Sequence, residues 1–174
     1  MEYCIEQLIP EKELEERIIK LADQIMSDYK DKEIVFICVL KGSCFFATEL
    51  AKRISNNVEM EFIQVSSYGA GTVSSGKITL KKDIDMSIEA RDIIIVEDII
   101  DSGNTASYLK DYFETKKPNS IKLCTMLDKK ERREVAIEAE YVAFSIPNEF
   151  VVGYGLDYDE KYRNLPYVGK VIIK

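Results

Sequence analysis

The 174-residue chain contains no histidine. That absence removes Ser-His and Cys-His nucleophile pairs, histidine zinc ligands and the imidazole general base together. Acid-base chemistry must come from carboxylates, lysines, tyrosines or thiols. Cysteine is sparse, with four residues at positions 4, 38, 44 and 124 and no CxxC spacing. Cys38, Cys44 and Cys124 lie among apolar residues, so reduced, buried thiols in a cytoplasmic protein are expected ahead of disulfides or a metal site. No apolar run approaches the ~20 residues needed to span a bilayer. The acidic N-terminal segment lacks the basic and apolar regions of a secretory signal. Basic residues are outnumbered, 24 against 31 acidic, for a net charge of -7. Such a surface repels nucleic acid and anionic membranes, so an anionic small substrate would need a metal ion, backbone amides or a few placed cations.

What is present reads as one globular domain. The composition is 46% hydrophobic and 32% charged, and a chain of this length buries roughly 70% of its unfolded surface as a single core. No internal repeat, low-complexity tract or linker divides it. After Pro10, apolar residues at Leu14, Ile18, Leu21, Ala22, Ile25, Met26 and Tyr29 mark an amphipathic helix. The run 34–40 (IVFICVL) suits a strand buried on both faces, followed by a helix over about 44–54. A strand over 58–65 leads into a Ser/Gly/Thr-rich stretch with the composition of a long mobile loop. A short strand from Ile78, a buried strand over 92–97, a helix over about 105–115 and a strand over 120–127 follow. A helical turn (KKERREV) and short strand-like pieces (YVAFSI, VVGYG, VGKVII) close the chain. Strands alternating with helices imply an α/β fold with a mainly parallel sheet flanked by helices.

In such sheets ligands bind beyond the carboxyl ends of the strands. Three unusual segments fall there: residues 40–43 (Leu-Lys-Gly-Ser), residues 97–105, and Asp128 with its charged followers. Glu97 and Asp98 close a strand of hydrocarbon residues, and Asp101 follows before a Ser-Gly-Asn-Thr turn that opens a helix. Consecutive N–H groups over 101–105, the hydroxyls of Ser102 and Thr105, the flexible Gly103 and a helix N-terminus form an anion cradle. The neighbouring carboxylates suit magnesium and ribose diols, both of which favour oxygen ligands. An isolated Asp-Ser-Gly turn would be read as a helix cap; three carboxylates at one strand end favour a site. Gly71, Gly76 and Lys77 have P-loop spacing, but Ile78 replaces the required Ser/Thr and a strand-like segment follows, so this is not a nucleoside-triphosphate site.

The run IIIVEDIIDSGNTASYL resembles the phosphoribosyl-diphosphate (PRPP) signature of type I phosphoribosyltransferases, specifically the hypoxanthine-guanine (6-oxopurine) family. Residues 40–43, residues 66–69 (Ser-Ser-Tyr-Gly) and the tail 146–169 occur in family order and spacing, so the resemblance covers essentially the whole chain. It implies one domain over 1–174, a small hood formed by about 1–10 and 146–174, and a flexible active-site loop over about 66–78. It also implies purine salvage: transfer of the 5-phosphoribosyl group from PRPP to hypoxanthine or guanine, releasing pyrophosphate and using Mg2+. The roles implied are ribose contacts for Glu97 and Asp98 and a 5-phosphate cradle from Asp101, Ser102, Gly103, Asn104 and Thr105. Asp101 would exchange the proton on purine N7. Lys41, Gly42, Ser67, Tyr68 and Arg163 would bind pyrophosphate, with a cis Leu40–Lys41 peptide. Phe150 would stack on the purine, whose edge would meet the backbone of Val151 and Asp157, and Glu97, Asp98 and Asp157 would hold the metal.

One departure from the family pattern concerns the base. Counting back from Tyr141, the lysine that donates to the purine 6-oxo group falls at Glu138, which accepts where a donor is needed. Three outcomes follow: Lys129 or Lys130 supplies the missing cation, the preferred base is xanthine or adenine, or activity is weakened. A PRPP-sensing or RNA-binding regulator on the same fold is the rival outside the enzyme class, and it would need a basic face. The resemblance further implies a homo-dimer or homo-tetramer.

Overall fold

The computed structural model describes residues 3–67 and 78–173. Tyr68, Gly71, Gly76 and Lys77 lie outside the described residues, and of Ser67 only the backbone is described.

Strand β1 (Tyr3–Ile9) precedes helix α1 (Glu11–Asp28). Pro10 stands just outside the helix, and Glu11 and Glu13 occupy its first turn, where carboxylates oppose the positive end of the helix dipole. The stripe read from the sequence is buried: Leu14, Ile18, Leu21, Ala22 and Ile25. Strand β2 (Ile34–Leu40) leads through a tight turn into α2 (Cys44–Ala51), and β3 (Val58–Ser67) and β4 (Ile78–Lys82) follow. A strand, not a helix, therefore follows Lys77, as the rejection of a P-loop requires. Next come β5 (Asp92–Ile100), α3 (Asn104–Glu114), β6 (Ser120–Asp128), a 3-10 turn (Lys130–Arg132), β7 (Tyr141–Ser145), β8 (Val151–Val152) and β9 (Val168–Ile173).

The main sheet has the order β4-β3-β2-β5-β6-β7. All neighbours are parallel except β3 and β4. Because side chains alternate across a strand, β2 feeds two cores. Ile34, Phe36 and Cys38 pack with α1 and α2 on one face, and Val35, Ile37 and Val39 pack with α3 on the other. Phe36 is wholly buried, so Phe36→Ala would cost about 3–5 kcal/mol. The second sheet, β1-β9-β8, is small and antiparallel and joins the two chain termini. Residues 3–9 gave no strand signal in the sequence, because only Ile9 of that strand is buried.

Two details of this topology place the site. From β2 the chain runs outward to β3, and from β5 it runs the opposite way to β6, so the order reverses between β2 and β5. Pairing of β2 with β5 stops at Cys38 and Val96, while β5 continues against β6 as far as Ile100 and Asp128. A crevice therefore opens between the turn after β2 and the last residues of β5. Glu97 and Asp98 line a continuing strand here and do not end it, which corrects the boundary read from the sequence.

All four cysteines are free, with Cys38 and Cys124 buried, Cys44 half-buried and Cys4 exposed. Burial pushes the Cys38 thiol up to about 11, despite a hydrogen-bonding contact with Ser43. No described helix is long and apolar enough to cross a membrane.

Candidate functional site

The turn after β2 is built around a cis Leu40–Lys41 peptide. Ser43 anchors it by donating to the Val39 carbonyl at 2.8 Å. Gly42 is required by crowding alone, since a Cβ there would lie 1.6 Å from Asp98 Oδ2. Across the crevice Gly155 stands at φ +103, and a Cβ on it would lie 1.9 Å from the Gly42 carbonyl oxygen. Two glycines thus allow the 40–43 turn, the end of β5 and the hood to meet.

Glu97 is 5% exposed, and its Oε1 is buried without a hydrogen-bond partner. Burial, reinforced by the adjacent Asp98 charge, raises its pKa well above the usual carboxylate range. Burial also pushes Asp98 up to about 6, against the opposing Ile99 N–H, which donates to its Oδ1 at 2.8 Å. Shifts of this kind mark sites where oxygens wait for donors or a cation.

Beyond β5, a cavity of about 260 Å³ is lined by Glu97, Asp98, Asp101, Ser102, Gly103 and Thr105 among others. Gly103 caps α3 with φ +86, and a Cβ there would meet Ile137 at 2.6 Å and Arg133 at 2.8 Å. Glycine is therefore needed both for the left-handed turn and for the packing beneath it. The segment after β6 holds the cradle from below: Glu134 N–H donates to the Ser102 carbonyl at 2.9 Å, and Asn104 Nδ2 donates to Glu134 at 2.9 Å. Larger hollows exist elsewhere, such as one of about 460 Å³ beside α2, but they gather no comparable set of strand-end carboxylates and helix N–H groups.

Asp101 Oδ1 lies 3.3 Å from Arg132 Nε and makes no aligned hydrogen bond. Lys129, the first residue after β6, is only 6% exposed. Burial lowers its pKa, and the Asp101 charge acts against that. Asp128 beneath it is 1% exposed and paired with Arg133. Glu138 is placed elsewhere: its side chain is 70% exposed and pairs with Lys130 at 3.1 Å. Glu138 is thus solvent-facing, whereas Lys129, the alternative cation, is buried at the end of β6.

The hood supplies the remaining wall. Phe150 is 52% exposed, so it is not a core residue, and its ring meets Tyr158 edge-on at 5.4 Å. Val151 is buried and pairs with Lys170 in the hood sheet. Arg163 donates to the Gly155 carbonyl at 2.8 Å and pairs with Asp157 Oδ1 at 2.9 Å. Asp157 Oδ2 accepts the Glu160 N–H at 2.8 Å. Lys41 Nζ lies 2.8 Å from Glu160 Oε2.

A metal held by Glu97, Asp98 and Asp157 alone does not fit this geometry. Among the described residues no three metal-ligating side chains converge, and both Asp157 oxygens are engaged. The unpartnered Glu97 oxygen and the neighbouring Asp98 do fit a hard cation whose other ligands come from a substrate, which is how magnesium is commonly bound. The clamp of residues 133–137 on the 102–104 turn and the Lys41–Glu160 contact are not foreshadowed by the sequence reading. The paired arginines of KKERREV, next to a buried strand-end aspartate, were the available signal for the first.

Comparison with known proteins is consistent across sequence and structure. Residues 5–159 match the family model described as phosphoribosyl transferase domain. A hypoxanthine-guanine phosphoribosyltransferase of Streptococcus thermophilus is 52% identical over 162 residues, 93% of this chain and 90% of that protein. One from Streptococcus pyogenes is 54% identical over the same shares. A crystal structure of a hypoxanthine-guanine phosphoribosyltransferase from Bacillus anthracis superposes with a TM-score of 0.92 at 50% identity, covering 99% of this chain and 100% of that one.

Proposed function

The chain belongs to the phosphoribosyl transferase family, and from that premise we propose that it is a purine-salvage hypoxanthine-guanine phosphoribosyltransferase. It transfers the 5-phosphoribosyl group from PRPP to a nitrogen of hypoxanthine or guanine, forming IMP or GMP and pyrophosphate. The observation that carries the reading is the crevice between β2 and β5. There the 101–105 cradle and two proton-hungry carboxylates line one cavity, and the buried Lys129 follows the neighbouring strand β6.

The residues divide the substrate between them. The N–H groups and hydroxyls of 101–105 suit the 5-phosphate, because a helix N-terminus favours an anion without a cation beside it. Glu97 and Asp98 suit the ribose hydroxyls, whose donors would satisfy the orphaned Glu97 oxygen. With substrate oxygens, the same two carboxylates would hold Mg2+. When bound, that ion would neutralise charge developing on the diphosphate. Lys41, Gly42 and Arg163 suit the diphosphate. Phe150 offers a stacking face, the backbones of Val151 and Asp157 bound the purine edge, and Lys129 donates to the 6-oxo oxygen.

The C1–oxygen bond to pyrophosphate breaks as the C1–nitrogen bond forms, through a sugar with oxocarbenium character. Lys41 and Arg163 meet the growing negative charge on the leaving group. Asp101 takes the proton from purine N7 as the base loses its positive charge, and Arg132 orients that carboxylate. Specificity for 6-oxopurines follows from a buried donor, since an amino group at that position would leave Lys129 facing another donor.

The test is pyrophosphate release with PRPP and magnesium against hypoxanthine, guanine, xanthine and adenine in parallel. Release with the first two supports the reading, and release with adenine alone, or with no base, refutes it.

A further inference from the structure

We propose that Glu160 is a built-in anion that occupies the diphosphate-binding cations of the substrate-free enzyme and is displaced when the diphosphate arrives. The inference rests on the function proposed above and adds a residue that competes with substrate for the same cations.

Two cations from different parts of the fold meet one carboxylate oxygen. Lys41 comes from the turn after β2 and Arg163 from the hood, and the Gly42–Gly155 contact brings those segments together. Glu160 Oε2 lies 2.8 Å from Lys41 Nζ and 3.4 Å from Arg163 Nη2. A carboxylate shared by two cations reproduces the arrangement that a terminal phosphate oxygen would take.

The partners differ in how firmly they are held. Arg163 is fixed by the Gly155 carbonyl and by Asp157, and its side chain is only 22% exposed. Lys41 and Glu160 are 55% and 65% exposed, and Glu160 is the partner found for Lys41 among the described residues. An exposed ion pair contributes little, so a multiply charged diphosphate outcompetes it. Its geometry is nonetheless set: Glu160 has φ +61, a conformation unfavourable for a side-chain-bearing residue, and its N–H is tied to Asp157 Oδ2 at 2.8 Å. Unfavourable backbone of this kind persists where surrounding contacts impose it. Here it aims the carboxylate at the cations.

The consequence is a trade of affinity for turnover. In the empty state Glu160 holds Lys41 in place, and as pyrophosphate leaves it recaptures the ammonium and speeds release.

The experiment is calorimetric titration of magnesium pyrophosphate into the intact wild-type chain and Glu160→Gln, with titration of IMP alongside. Pyrophosphate should bind the variant about fivefold more tightly, the equivalent of losing one exposed competing pair, and its release should slow by a similar factor. IMP affinity should not change, because its phosphate lies in the 101–105 cradle. Equal or weaker pyrophosphate binding by the variant, in a wild-type chain that turns over PRPP, overturns this inference and leaves the function standing. A wild-type chain that neither binds pyrophosphate nor turns over PRPP overturns both. A parallel gain for IMP would also overturn it, since that would report a general change in the site and not competition at the diphosphate.

Discussion

Gly42 and Asp98 meet with no room for a single additional carbon: a Cβ on Gly42 would stand 1.6 Å from the Asp98 carboxylate oxygen. The contact joins the turn after β2 to the end of β5 across the point where the strand order reverses. It makes the position of the 40–43 turn depend on that of the Asp98 carboxylate. Gly42→Ala must therefore push one of them aside. Displacements near 1 Å at a reacting centre cost about 100-fold in rate, and overpacking a tight contact costs about 1–3 kcal/mol of stability. Steady-state kinetics and thermal melts should show a far larger fall in kcat/KM than the modest loss of stability would produce.

The carboxylates of the crevice make a defined pH signature. Asp98 is pushed up to about 6 in the folded chain, from 3.8. Between those values the folded state binds more protons than the unfolded one, so stability from this group is present below pH 4 and lost as pH rises through 6. Carboxylates held low by partners, such as Asp83 beside Lys116 and Tyr112, act in the opposite sense. The difference between variants isolates the effect. In EDTA, Asp98→Asn should be more stable than wild type by about 1–3 kcal/mol at pH 7 and should lose that advantage near pH 4. Denaturant titrations at both values decide it, and a pH-independent difference would refute the shift.

The proposed proton acceptor, Asp101, stands 3.3 Å from Arg132 Nε. Asp101→Asn keeps the shape of the cradle and removes the acceptor. PRPP binding should persist while kcat falls by about 10²–10⁴, the usual contribution of a positioned base. Arg132→Ala should cost much less, because the pair is half exposed. Undiminished turnover in Asp101→Asn would remove the proton-transfer role.

Much of this was legible in the chain. Strand β2 matches its apolar run residue for residue, because a strand buried on both faces needs an unbroken one. The cradle was legible because Asp101 to Thr105 must combine turn, hydroxyl and helix-start chemistry in consecutive positions. What was not legible lies between residues that are distant in sequence. Strand β1 earns its place by pairing with β9, not by burial of its own side chains. The Gly42–Asp98 and Lys41–Glu160 contacts exist only once the sheet and hood are assembled. Counting back from Tyr141 to Glu138 crosses the irregular segment between β6 and β7, where spacing carries no register. Counting forward from the end of β6 reaches Lys129 in one step.

That last point carries a sharp prediction about base recognition. Lys129 is buried at the strand end beside Asp101, whereas Glu138 is solvent-facing and tied to Lys130. A buried donor facing the 6-oxo oxygen makes a charge-assisted bond, and removing one partner of such a bond costs about 1.5–3 kcal/mol, or roughly 10- to 100-fold in base affinity. Lys129→Ala should raise KM for hypoxanthine and guanine by that factor while leaving KM for PRPP within about threefold, since PRPP meets other residues. Removing a buried lysine could also loosen the fold, and Lys129→Met controls for that by retaining the apolar stem; both variants should show the same defect. Glu138→Lys and Glu138→Ala should each stay within about twofold of wild type, as surface changes away from a site do. A large effect at Glu138 with none at Lys129 would return the base-recognition role to the exposed loop.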